Sequence, residues 1–340
     1  MGTSAGSTKI EAAGRSSTAR QRVLQTLGRY RSLAPVMVLV LLCLVIASIN
    51  TNFLSISNFI RLLSAAAIPL VLVMGATLVI LMGSIDLSVE GVVALAAVIV
   101  SLLVLNDFSG SDFGFFAVPI AILVGGFAGF CNGLVHVKLR VPSFMTTLGL
   151  GFACVGIATA ALGGYTVRIS DRNFRELTLG RFLDIPFSVW LAMVSVLIAW
   201  ILQERTRIGR WIYAIGTDEV IARQVGVPVE RTRIIVFTIA GLFYGLAGAM
   251  SAAQLGQGHA LISQGRLFTT ITAVVVGGTA LSGGVGSILN SVVGVLVVVV
   301  LTNGMVLMGI PPFVQLGVQG ILIITAVALA LDRSRLEVVK

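Results

Sequence analysis

Apolar residues run along most of this chain in blocks long enough to cross a bilayer, broken by short clusters of charge, glycine and proline. Stretches free of Asp, Glu, Lys and Arg cover 32–60, 62–85, 91–106, 113–137, 141–167, 185–203, 234–265 and 267–331. The last is too long for one crossing. Gly283, Gly284 and Gly286, then Gly309, Pro311 and Pro312, supply the turns that divide it into three. The pattern predicts ten helices, at about 33–50, 62–82, 87–106, 115–137, 142–163, 186–203, 234–254, 267–281, 286–307 and 313–331. A span needs roughly 20 residues to cross the hydrocarbon layer. Two longer polar segments remain, 164–185 and 204–233. In the second, Thr217 is expected to cap a short helix with Asp218 and Glu219 in its first turn, stopped by Gly226 and Pro228. Isolated helices shorter than about 12 residues are marginal in water, so something must pack on it.

Composition changes this picture only by closing alternatives. Of 340 residues, 57% are hydrophobic and 11% charged, with a mean hydropathy of +1.03. A soluble domain carries about 25% charged residues, so the expected fold class is an all-α membrane protein. Its domain plan is a tail over 1–32, one transmembrane domain over 33–331 and a second tail over 332–340. The net charge of +9 is scattered between apolar runs rather than gathered on one face, which points away from nucleic acid and toward topology. With the N-terminus inside, 17 of the 23 basic residues fall on the cytoplasmic side. Outside lie Arg61, Arg168, Arg172, Arg175, Arg181 and Arg266. Both termini are therefore expected in the cytoplasm.

The chemistry available is narrow. Lysine occurs only at 9, 138 and 340 and never after glycine, so the chain has no phosphate-cradling GK[ST] loop and is not expected to hydrolyse ATP itself. His136 and His259 are far apart, and Cys43, Cys131 and Cys154 have no CxxC spacing, so no metal site or catalytic triad is expected. The only acidic residues near a span interior are Asp86 and Glu90, in the run Gly83 to Gly91 that contains Ser88. This run is expected at the cytoplasmic turn between the second and third spans. Asp86 there serves either as a helix N-cap, with Glu90 complementing the helix dipole, or as a gating or substrate contact. Asn132, Phe144, Thr146, Thr147 and Asn303 are candidate pathway residues whose amides and hydroxyls suit a neutral polyol; the alternative role of the polar ones is helix–helix hydrogen bonding.

Several ordered segments resemble one family. They are FLSISNF at 53–59, GATLVILMGSIDLSV at 75–89, VPSFMTTLG at 141–149, TRIGRWIYAIG at 206–216, ARQVGVPVER at 222–231 and VVGGTALSGGVGS at 275–287. Together they are similar to the permease subunits of ribose-, xylose- and galactose-type ATP-binding-cassette (ABC) importers, from about residue 35 to 331. The resemblance implies a type II ABC-importer permease in a bacterial inner membrane, working by alternating access. It implies a partner ABC ATPase that carries ATP and Mg, a periplasmic sugar-binding protein and a second permease protomer. It also implies that Gly216, Thr217, Asp218, Val220, Ile221, Ala222, Arg223, Val225, Gly226 and Val227 form the coupling helix that fits a groove on the ATPase. The pattern departs from many relatives at Glu90, Leu267 and Thr269. The rival readings are a stand-alone carrier or facilitator and a branched-chain amino-acid importer permease.

Overall fold

The computed structural model describes residues 33–330, so both expected tails lie outside the described residues. Every predicted span coincides with a helix. These are α1 (Leu33–Ile49), α2 (Ile56–Leu81), α3 (Val89–Leu103), α4 (Ala117–Leu139), α5 (Ser143–Leu162), α7 (Phe187–Arg205), α10 (Val229–Leu255), α11 (Arg266–Val276), α12 (Ile288–Leu307) and α13 (Pro312–Ala330). Between them lie three shorter polar-segment helices, α6 (Arg172–Leu179), α8 (Arg207–Thr217) and α9 (Glu219–Gln224). Six helices are long and apolar enough to cross a membrane by themselves: α2, α4 with the 3-10 turn before it, α5, α7, α10 and α12. Helices α1, α3, α11 and the apolar part of α13 are shorter.

The core is built around α2, α3 and α10, whose Leu72, Met74, Val93, Phe237, Tyr244 and Met250 are buried. Helices α4 and α10 approach most closely because both are glycine-lined. A Cβ on Gly129 would strike the Phe237 carbonyl, and one on Gly241 would strike the Gly125 carbonyl. In a bilayer, where apolar burial between helices has little driving force, such backbone-to-backbone packing is what holds helices together.

The 164–185 segment is not wholly helical. Strand β1 (Val167–Arg168) pairs antiparallel with β4 (Gln257–Gly258), after α10, and β2 (Arg181–Phe182) pairs with β3 (Ile185–Pro186). The two residues joining β2 and β3, Leu183 and Asp184, both have positive φ, as a two-residue type I′ hairpin requires. Asp171 caps α6 by accepting from the Phe174 N–H at 3.0 Å, and Phe174 is fully buried. This cap closes one end of the bundle, the α6 end. Helices α8 and α9 lie at the other.

Candidate functional site

At the α9 end, Thr206 Oγ1 accepts from the Gly209 N–H and starts α8, which buries Ile212 and Ile215. Thr217 does not cap the next helix as expected. It is the last residue of α8, and its hydroxyl donates to the Tyr213 carbonyl at 2.8 Å. The cap is Asp218, whose backbone is extended and whose carboxylate accepts from the Ile221 N–H at 2.9 Å. A carboxylate suits the positive end of a helix better than a hydroxyl already committed elsewhere. Gly226, at φ +85°, ends the turn.

Helix α9 has six residues and turns only Ala222 fully inward, so Ala222 seats the helix on its own chain instead of facing a partner. Val227 likewise packs partly inward. Glu219 is clamped between Arg223 at 2.9 Å and Arg233 of α10 at 2.7 Å, and Arg223 also lies 3.6 Å from Glu230. Outward from this clamp stand Val220, Ile221 and Val225, at 66%, 57% and 72% exposure.

Burial alone would raise the pKa of Glu219, but the hydrogen bonds and charges of Arg223 and Arg233 outweigh it and hold the carboxyl below its ordinary value. The stability it lends is therefore complete above the unfolded carboxylate pKa and is lost as pH falls through the lower folded value. The protection of α9 amides against hydrogen exchange, corrected for the intrinsic rate at each pH, is expected to fall on acidification through that range in the wild-type chain. In Glu219→Gln that protection is expected to be low already at neutral pH and to lack the acid-dependent step.

Helix α8, from which α9 continues, is fastened to the spans through close backbone packing. The Gly284 N–H donates to the Leu81 carbonyl at the end of α2, at 2.9 Å. A Cβ on Gly216 would strike that same carbonyl, and one on Gly283 would stand 2.6 Å from Gly83 N and 3.0 Å from Gly216 Cα. The Tyr213 hydroxyl donates to the Gly286 carbonyl at 2.7 Å, and Gln203 accepts from the Ile288 N–H at 2.6 Å. Burial, with Glu204 adding to it, pushes the Tyr213 pKa up to about 12, so the hydroxyl remains a donor at neutral pH. The ends of α2, α7 and α8 and the start of α12 therefore meet in one junction.

The run from Gly83 to Glu90 does not form a simple turn. Residues 83–88 are non-helical and enter the bundle, where their backbone donors are met by side chains. The Ile85 N–H donates to Ser143 Oγ at 3.2 Å, and the Leu87 N–H to Thr147 Oγ1 at 2.9 Å. Non-helical backbone inside a membrane protein needs such internal partners. Asp86, buried, accepts from the Ser88 N–H at 2.9 Å and from Ser88 Oγ at 2.6 Å, while Asn132 Nδ2 donates to Ser88 Oγ at 2.9 Å. Asp86 thus forms an Asx turn ahead of α3 instead of capping it. The helix begins at Val89, and the Ser88 side chain makes no cap bond. Asn132 Oδ1 is buried without a hydrogen-bond partner, and the Tyr244 hydroxyl, also buried, lies beside the Asp86 carboxylate. A cavity of about 10 Å³, room for about one water, lies between Asp86 and Thr270 of α11.

Glu90 and Arg266, expected near opposite membrane faces, lie at one level. The Glu90 carboxylate accepts from the Leu267 N–H at 3.0 Å, and Ser263 Oγ donates to the Glu90 carbonyl at 2.6 Å. With 15 and 11 residues, α3 and α11 are about 22 and 16 Å long, each short of a 30 Å layer. They are half-helices whose positive N-termini meet at Glu90 inside the bundle. The other candidate pathway residues make structural hydrogen bonds. Asn303 pairs with Asn58 of α2 at 3.0 Å, Thr146 bonds back to the Pro142 carbonyl, and Thr147 holds the 83–88 run. Phe144 is partly exposed.

Long apolar helices, short half-helices and a small outward helix clamped to the spans are the features of a multi-pass membrane protein. The chain matches the family described as "Branched-chain amino acid transport system / permease component" over residues 58–327, and it belongs to that family. It is 32% identical to the ribose import permease protein RbsC of Escherichia coli K12, over 85% of this chain and 90% of that protein. It is 34% identical to RbsC of Bacillus subtilis over 91% and 94%, and 33% identical to the L-arabinose transport system permease protein AraH of E. coli over 72% and 74%. No solved structure matches it.

Proposed function

We propose that this chain is the membrane subunit of an ATP-driven importer for a neutral monosaccharide or similar polyol. In this reading it makes ten crossings with both termini in the cytoplasm of a bacterial inner membrane. An ABC ATPase seats on α9 and supplies ATP and Mg chemistry, a periplasmic binding protein delivers the solute to the α6 end, and a second permease protomer completes the pathway. The carrying observation is α9 itself. Three apolar side chains face outward from a helix too short to stand alone, and that helix is held by Arg233 to α10 and follows directly on α8, which the glycine junction locks to α2 and α12. Such a face suits helix-in-groove docking, and its attachment lets a movement outside reach the spans.

A sugar is favoured over a branched-chain amino acid by the relatives named for ribose and arabinose import. The buried amides and hydroxyls also suit hydroxyl exchange better than they suit a charged ammonium and carboxylate. Reconstitution tests this reading. Uptake of a labelled sugar into liposomes is expected only with the cognate ATPase, the binding protein and ATP together. Uptake by the permease alone, or strict preference for a charged amino acid, would overturn it.

A further inference from the structure

At the α9 end, beside the docking face and sharing Arg223 with α9, a cleft of about 340 Å³ opens between the turn joining α4 to α5 and the start of α10. It is lined by His136, Arg140, Arg223, Glu230 and Arg233, with Val141 and Pro142 as apolar wall. Three of its polar groups are unused. Arg140 has no ion pair or side-chain hydrogen bond among the described residues. Arg233 spends one terminal nitrogen on Glu219, but its Nε–H is buried without an acceptor. His136 Nδ1 lies 2.6 Å from the Val141 carbonyl and so carries its proton, which leaves Nε2 a buried acceptor with no donor.

The charge is likewise incomplete. Glu219 and Glu230 offset Arg223 and Arg233, so Arg140 is the uncompensated cation of the cleft. Its backbone is held in the left-handed region at φ +55°, where residues other than glycine are uncommon. An acceptor-rich anion is needed for Arg140 and Arg233, and a hydroxyl donor for His136. The volume is within the range of small-molecule sites and well above that of a bare anion.

We propose that this cleft binds a small hydroxylated phosphate monoester, a sugar phosphate, with the phosphate on Arg140 and Arg233 and a sugar hydroxyl on His136 Nε2. A molecule seated there joins the α4–α5 turn to the Arg233 that clamps α9. Its occupancy would bear on how firmly the docking helix is held. Binding does not depend on what the chain transports, so the site stands or falls separately from the importer reading.

The test is equilibrium binding of ribose 5-phosphate to the full-length chain in uncharged detergent. Saturable binding is expected, with free ribose and sulfate at least tenfold weaker. Arg140→Gln and His136→Phe are each expected to weaken it at least tenfold. Arg140 has no partner to lose, so Arg140→Gln is expected to keep the wild-type unfolding temperature. Absence of saturable binding to the wild type, unchanged affinity in Arg140→Gln, or sulfate binding as well as ribose 5-phosphate would overturn the proposal. So would Arg140-dependent binding of phosphatidylglycerol in nanodiscs with no ribose 5-phosphate binding, since that would assign the cleft to a lipid headgroup.

Discussion

Ile221→Asp is expected to abolish ATP-driven uptake while leaving the permease inserted and folded. Ile221 is 57% exposed and stands between Val220 and Val225 on the outward side of α9, so aspartate there removes little packing within the chain. Removing the apolar anchor forfeits roughly 1.5–3 kcal/mol of burial, and placing a carboxylate in a dry groove adds a further cost of similar size. Since 1.4 kcal/mol is a factor of ten, ATPase affinity should fall by about 100-fold or more. Co-purification with the ATPase, thermal unfolding and uptake measured together decide the matter. Retained co-purification would rule out α9 as the docking helix. Ala222→Asp is a poor substitute because Ala222 is buried in the chain's own core, and its carboxylate would unseat α9.

A comparable loss is expected from Gly216→Val, for a different reason. The added carbons would meet the Leu81 carbonyl and the Gly284 backbone, which no rotamer change can move aside. Overpacking of this kind typically costs 1–3 kcal/mol even where side chains can adjust. The expected result is a lowered unfolding temperature and uptake near background, with ATPase binding retained because the outward face of α9 is untouched. Gly110→Ala, where nothing lies within 4 Å, should behave as wild type. Wild-type uptake by Gly216→Val would mean that α8 and α2 need no close contact.

The helices were legible because a bilayer imposes long apolar runs, and charge marks their ends. Helix α9 was legible from Asp218, Gly226 and Pro228, although the cap fell one residue later than expected because the Thr217 hydroxyl turns back to α8. Helix α8 was missed, yet Ile208, Ile212 and Ile215 recur at helical spacing within a segment that its arginines made look simply polar.

Depth was not legible. Reading charge as a mark of the membrane face puts Glu90 inside and Arg266 outside, whereas the fold brings Glu90 to the residue next to Arg266. A carboxylate can sit within a bundle when a helix N-terminus supplies its donor, and linear sequence carries no record of that donor. The two-residue strands are too short to produce any alternation. The use of Ser143 and Thr147 to satisfy the 83–88 backbone depends on an approach of distant segments that no local pattern reports.

The pairing of β1 with β4 has a mechanical consequence. Val167 and Arg168 are stitched to Gln257 and Gly258, and the chain runs on from Gly258 through Ser263 directly to the start of α11. The α6 cap and the half-helix α11 are therefore joined by a short stretch of chain that packs on Ser101 of α3, against which Gly258 has no room for a side chain. The shortest bonded route from the α6 cap to Glu90, inside the bundle, thus runs through Gln257–Ser263 and not along the length of a span.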